Sequence, residues 1–137
     1  MKTTSPSREH LLAQFSDAIE DLNAYASRNK NSLTEKQSLE LIASFEASHE
    51  MALRVINSYL ATMGKGPFSG SRDATVEAFH AELIDDGKGW LDMVIDRIQY
   101  SPVYDLENRQ QFISHILDRY VGLLGRFEDR MKKKMEE

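Results

Sequence analysis

Apolar residues in this chain recur at steps of three and four along almost its whole length, and no stretch alternates with period two for long enough to make a strand. That pattern restricts the fold to packed helices. In the first segment Leu11, Phe15, Ala18, Leu22 and Tyr25 form one stripe, with Leu12, Ile19 and Ala26 beside it, a heptad-like seam suited to a bundle. Pro6 suits the first turn of this helix, and the polar run Ser27–Ser32 should end it. Thr34 followed by Gln37 reads as a capping box. It opens a second helix through Ile42, Phe45, His49, Ala52, Ile56, Tyr59 and Met63, with Gly64 as its stop. After a Gly-rich loop, Gly64–Ser71, a short third helix is expected from about Asp73 to Ile84, carrying Val76, Phe79 and Leu83. Asp85–Gly89 reads as a turn. A fourth short helix carries Trp90, Leu91, Val94 and Ile98 and ends at Pro102, which pushes its predecessor out of the helical region. The last helix should run from near Asp105 to about Lys133, with Phe112, Ile113, Ile116, Tyr120, Leu123, Leu124, Phe127 and Met131 as its stripe.

These elements predict an all-α fold, an up-and-down four-helix-type bundle of three long and two short helices. One domain spanning residues 1–137 is expected, frayed at 1–7 and 134–137. A domain of 137 residues hides roughly two-thirds of the surface its unfolded chain exposes, enough for a real core. The net charge of −5 supplies no basic field for nucleic acid or a membrane surface, so neither DNA nor membrane is expected as a partner, and RNA is disfavoured. The absence of cysteine excludes disulfides, thiolate metal sites and a Cys nucleophile. No apolar run approaches the ~20 residues that span a bilayer. The polar start Met1–Ser7 lacks the apolar core of a signal peptide, and a cytoplasmic location is expected.

The chemistry-bearing residues concentrate in Asp96–Asp105, which joins two helices and holds two acids, Arg97, Ser101, Pro102 and two tyrosines. Arg97 has the chemistry to hold a phosphate, and Ser101 or Tyr104 offers a hydroxyl. The same residues also read as a helix stop, with Pro102 breaking, Asp105 capping and Asp96 pairing with a cation. The histidines His10, His49, His80 and His115 fall singly in separate helices, and no pair has metal-ligand spacing. His49 lies on the apolar stripe and reads as a hydrogen-bonded core residue. Glu46 and Glu50 share a helix face, as in carboxylate metal sites of bundles, but the Glu-x-x-His companion is missing. Glu50 is expected to pair with Arg54 at i+4. Gly64, Gly66 and Gly70 do not form a P-loop, and Lys132–Lys134 complement the last helix dipole. No catalytic residue, metal or cofactor follows from these motifs.

Phe45-Glu46 with Glu50, Arg54, Leu60 and Gly64 resembles the second helix of nucleotidyltransferase substrate-binding proteins. Ala78-Phe79, Leu83-Ile84-Asp85-Asp86-Gly87, Trp90-Leu91-Asp92-Met93, Asp96-Arg97 and Tyr104-Asp105 continue the similarity in order and spacing. The resemblance covers about residues 10–130 and is densest from Ala78 to Asp105. It implies a bundle like the C-terminal domain of kanamycin nucleotidyltransferase, a homodimer, and a separately encoded minimal nucleotidyltransferase as partner. That partner would carry the Asp-x-Asp metal site and bind ATP and Mg. This chain has Gly70-Ser71 but no Asp-x-Asp after it, so the resemblance implies a non-catalytic subunit that presents or recognises the acceptor.

The same family overlaps the HEPN superfamily, whose HepT-like toxins are ribonucleases with an Arg-x4-His-x-Tyr motif. Here Arg97 and Tyr104 hold the outer positions, Pro102 replaces the histidine, and Ile98 stands where Asn is frequent. Proline carries no side-chain proton, so a ribonuclease of a toxin–antitoxin pair is disfavoured; it would need His49 or His115 as the proton carrier. Tyr104 matches the tyrosine to which the partner of such toxins adds adenylate. The cleft implied is Asp96, Arg97 and Tyr104, with His49, Glu50 and Arg54 across it.

Overall fold

A computed structural model describes residues 7–28, 32–100 and 106–136, and the elements within them are all helical. In chain order they are α1 (Arg8–Ala26), α2 (Glu35–Thr62), α3 (Ser71–His80), α4 (Gly87–Gln99), α5 (Leu106–His115) and α6 (Val121–Glu136). A π-turn, Ile116–Tyr120, joins α5 to α6, so the two make one continuous rod. The result is an all-α bundle of three long helices (α1, α2 and the α5–α6 rod) and two short ones.

Local signals set most of the ends. Ser7 caps α1 by accepting from the His10 N–H at 3.1 Å. Pro6, expected in the first turn, lies outside the described residues. Thr34 and Gln37 form the reciprocal capping box, with bonds of 3.1 and 3.0 Å. At the far end of α2, Gly64 has φ +76°, its N–H donates to Ala61 O, and Lys65 N–H donates to Leu60 O. This is a Schellman ending, which needs a left-handed residue where glycine fits without strain.

The short helices differ from expectation. Helix α3 starts at Ser71 and stops at His80, four residues before Ile84. A second Schellman ending closes it, with Leu83 N–H on Ala78 O and Glu82 N–H on Phe79 O. The left-handed position is taken by Glu82 (φ +62°) instead of glycine. Helix α4 starts at Gly87, inside the expected turn, because Asp86 Oδ1 accepts from the Gly89 N–H at 2.9 Å and caps it. A Cβ on Gly89 would sit 2.8 Å from Leu123 Cδ1, so glycine here lets α4 approach α6 closely. The rod continues to Glu136, three residues past Lys133 and through residues expected to fray, because Met131 is buried and Met135 packs on the core.

The core runs the length of the bundle. Phe15 of α1 meets Phe127 of α6 edge-on at 5.5 Å, Trp90 of α4 meets the same ring at 5.1 Å, and Phe45 of α2 meets Phe112 of α5 at 5.6 Å. Each fully buried side chain of this size contributes ~1.5–3 kcal/mol. Ser48 Oγ donates to Ser44 O and lies 3.2 Å from Ala18 O, which ties α2 to α1. Among the described residues no helix is long and apolar enough to cross a membrane. The rod, α2 and α4 together set up the site.

Candidate functional site

The last turns of α4 place Asp96 and Arg97 side by side, and neighbours on a helix point about 100° apart. They consequently reach different helices.

Arg97 reaches α2. Its guanidinium donates to His49 Nδ1 at 3.0 Å and lies 3.4 Å from Glu50 Oε1. His49 is buried, stacked on Phe45 at 5.8 Å and tilted against Trp90 at 6.2 Å. Desolvation by burial, then the Arg97 charge, lower its pKa to about 3, so the ring is neutral at physiological pH. A guanidinium only donates, so Nδ1 accepts and the ring proton sits on Nε2. That Nε2 is buried and has no hydrogen-bond partner among the described residues.

Beside this pair lies a cavity of about 450 Å³. Glu46, His49, Glu50 and Leu53 of α2 line one wall, Val94, Arg97 and Ile98 of α4 another, and Phe68, Gly70 and Ser71 ahead of and at the start of α3 a third. Two carboxylates, one guanidinium and a neutral imidazole thus face a partly apolar space. Arg97 donates to oxygen, and the carboxylates accept from hydroxyl or amine groups. Ile98 is 71% exposed, the most exposed large apolar side chain among the described residues.

Asp96 reaches the rod. Its Oδ2 lies 2.8 Å from His115 Nδ1 and accepts from the Tyr120 hydroxyl at 2.5 Å. Residues five apart on a regular α-helix diverge by about 140°. The π-turn, whose bonds close one residue later, draws 115 and 120 toward one face. Both then reach the same carboxylate. Burial first, then the Asp96 hydrogen bond and the nearby carboxylate charges, push the Tyr120 phenol far above its usual pKa, so it stays protonated. One turn back on α4, Asp92 Oδ2 accepts from Arg119 at 3.1 Å and from Lys88 at 3.2 Å.

The structure therefore brings together three of the residues singled out from sequence, His49, Glu50 and Arg97, while Asp96, expected in the same cleft, turns to the rod because neighbours on a helix diverge by about 100°. Arg54 does not join them. It is exposed on α2, forms no ion pair among the described residues, and does not line the cavity. Glu50 turns to Arg97 instead, because the half-buried guanidinium between α2 and α4 is a better partner than a solvated i+4 cation. Tyr104, with Ser101, Pro102 and Asp105, lies outside the described residues. Sequence offers His115 only as the proton carrier of the disfavoured ribonuclease, and does not mark Tyr120 as a site residue. Tyr120 belongs to an apolar stripe, and a spacing of five carries no signal in a regular helix. Among the described residues no three His, Asp or Glu side chains converge as metal ligands.

A family model described as nucleotidyltransferase substrate binding protein like matches residues 10–133. A comparison with curated proteins finds no match.

Proposed function

Because the chain belongs to the nucleotidyltransferase substrate-binding-protein-like family, we propose that it is the non-catalytic partner of a minimal nucleotidyltransferase and recognises the acceptor of the transferred nucleotide. The transferase binds ATP and Mg and performs the chemistry. This chain holds the acceptor at the C-terminal end of α4, with Arg97, His49 and Glu50 as its binding residues. The observation that carries this reading is the convergence of Arg97, His49 and Glu50 on one cavity. In that cavity a guanidinium and two carboxylates can orient a hydroxyl-bearing group for attack on the α-phosphorus. Tyr104, close in sequence to this end of α4, is the acceptor the reading names within the chain itself. The assembly includes a homodimer, for which exposed Ile98, Val76 and Phe79 supply apolar surface.

The test is co-expression with the cognate transferase. A stable complex, nucleotide transfer that needs this chain, and loss of transfer in Arg97→Ala with a melting temperature lowered by no more than about 4 °C are expected. A transferase that works equally well alone overturns the reading. An adduct lost in Tyr104→Phe supports the tyrosine assignment. A monomer at micromolar concentration in sedimentation overturns the homodimer.

A further inference from the structure

Across α4 from the cavity, the rod and α4 meet in two rungs: Asp96 with His115, and Asp92 with Arg119. An ionised carboxylate only accepts, so the 2.8 Å bond places a His115 ring proton on Nδ1, and in the neutral ring the lone pair is then on Nε2. The side chain is 45% exposed, and among the described residues Nε2 forms no hydrogen bond. The Tyr120 hydroxyl on the same Oδ2 fixes the carboxylate that fixes the ring. The guanidinium of Arg119, four residues along the rod and 42% exposed, pairs with Asp92 on the same helix α4 that holds Asp96. An oriented imidazole with an accessible lone pair, a carboxylate behind it and a guanidinium beside it is the arrangement that accepts a phosphorus-centred group.

We propose that His115 is a nucleotidylation site, distinct from any hydroxyl acceptor; this rests on the partnership with a nucleotidyltransferase proposed above. The Nε2 lone pair attacks the α-phosphorus of a nucleoside triphosphate held by the partner transferase. A nitrogen–phosphorus bond forms as the bond from the α-phosphorus to the oxygen bridging to the β-phosphate breaks, and pyrophosphate leaves. No proton has to be removed from the nucleophile. The ring becomes an imidazolium-type cation that keeps its Nδ1–H on Asp96, and that carboxylate offsets the new charge. Arg119 faces the non-bridging oxygens. A tyrosine or serine acceptor would instead lose a proton and form a phosphate ester. The two products differ in kind: a nitrogen-linked adduct hydrolyses in mild acid, and an ester to tyrosine survives it.

The experiment uses the full chain with its cognate transferase, ATP and Mg²⁺. Intact mass is recorded before and after mild acid for the wild type, His115→Asn and Tyr104→Phe. The expected result is an adenylate adduct that acid removes, that is absent from His115→Asn and that persists in Tyr104→Phe. Asparagine keeps an amide donor toward Asp96, and the acid lability of the wild-type adduct decides the question even where that variant folds poorly. An adduct that survives acid and is lost only in Tyr104→Phe overturns the His115 assignment and leaves the partnership standing. A stable complex with no adduct overturns it as well. Failure of the two chains to associate overturns both.

Discussion

The two faces of α4 handle polar groups in opposite ways. Toward α2, Arg97 spans 3.0 Å to a neutral histidine and 3.4 Å to a half-exposed glutamate, beside an open cavity and a buried Nε2–H without a partner. Toward the rod, Asp96 takes two short bonds on one oxygen. The first face leaves hydrogen-bonding capacity unspent among the described residues, which is what the proposed acceptor site draws on. The second is closed around its carboxylate and holds its side chains in fixed directions. Adjacent residues on one helix thus face an open cavity on one side and a closed hydrogen-bond network on the other.

The largest expected effect tests the closed face. Asp96→Ala removes the acceptor of a buried tyrosine hydroxyl and of His115, and should cost about 2–4 kcal/mol in denaturant unfolding. A cost below about 1 kcal/mol would mean that the network is ornamental and the contrast with the Arg97 face is lost. The next effect belongs to His49 and to pH. Its folded pKa, lowered to about 3, lies below the 6.5 of the unfolded chain. Below pH 6.5 the unfolded state therefore binds a proton that the folded state refuses, and stability falls as pH drops from 6.5 toward 3. The contribution is up to about 1.4 kcal/mol per pH unit. Unfolding of the wild type and His49→Gln at pH 7 and pH 5 should show a steeper loss in the wild type. Equal slopes would mean that His49 titrates normally and is not sealed in the core.

Tyr120→Phe is a milder probe of the closed face, with an expected loss of about 1–1.5 kcal/mol in thermal or urea unfolding. If the loss matches that of Asp96→Ala, the carboxylate acts only through Tyr120, and His115 is not part of the same lock. Arg97→Ala should be the smallest, below about 1 kcal/mol, because its ion pair is partly solvated and the cavity lets water reach the vacated His49 Nδ1. A destabilisation as large as that of Asp96→Ala would make the open face structural and remove the argument for binding there.

Local chemistry made much of the fold legible in advance. The Thr34–Gln37 box, the Gly64 stop and the stripe from Phe112 to Met131 depend on residues three and four apart. The ends of α3 and α4 were misplaced because tertiary contacts overrode composition. Glu82 occupies a left-handed position that sequence would give to glycine, with Arg130 donating to its carbonyl at 3.0 Å. Gly87 and Gly89, which read as turn residues, lie inside a helix that packs tightly on Leu123. At the site, the Arg97, His49 and Glu50 cluster was reachable through family resemblance, whereas the i+4 rule gave Glu50 the wrong partner. The Asp96, His115 and Tyr120 cluster was not reachable, since it depends on a change of hydrogen-bond pattern within the rod.

That change of pattern has a consequence for what the chain can lose. A turn closed by i→i+5 bonds contains one residue more than the α-helical turn it replaces. Removing a single residue between 116 and 120 would let the rod close as ordinary helix, with the stripes on either side still in phase. Phe112 and Ile113 would keep their neighbours, and so would Leu124 and Phe127. His115 and Tyr120 would then stand four apart, a spacing that keeps them on one face of a regular helix. The rod carries one surplus residue, and the turn that absorbs it keeps this pair and both stripes in register.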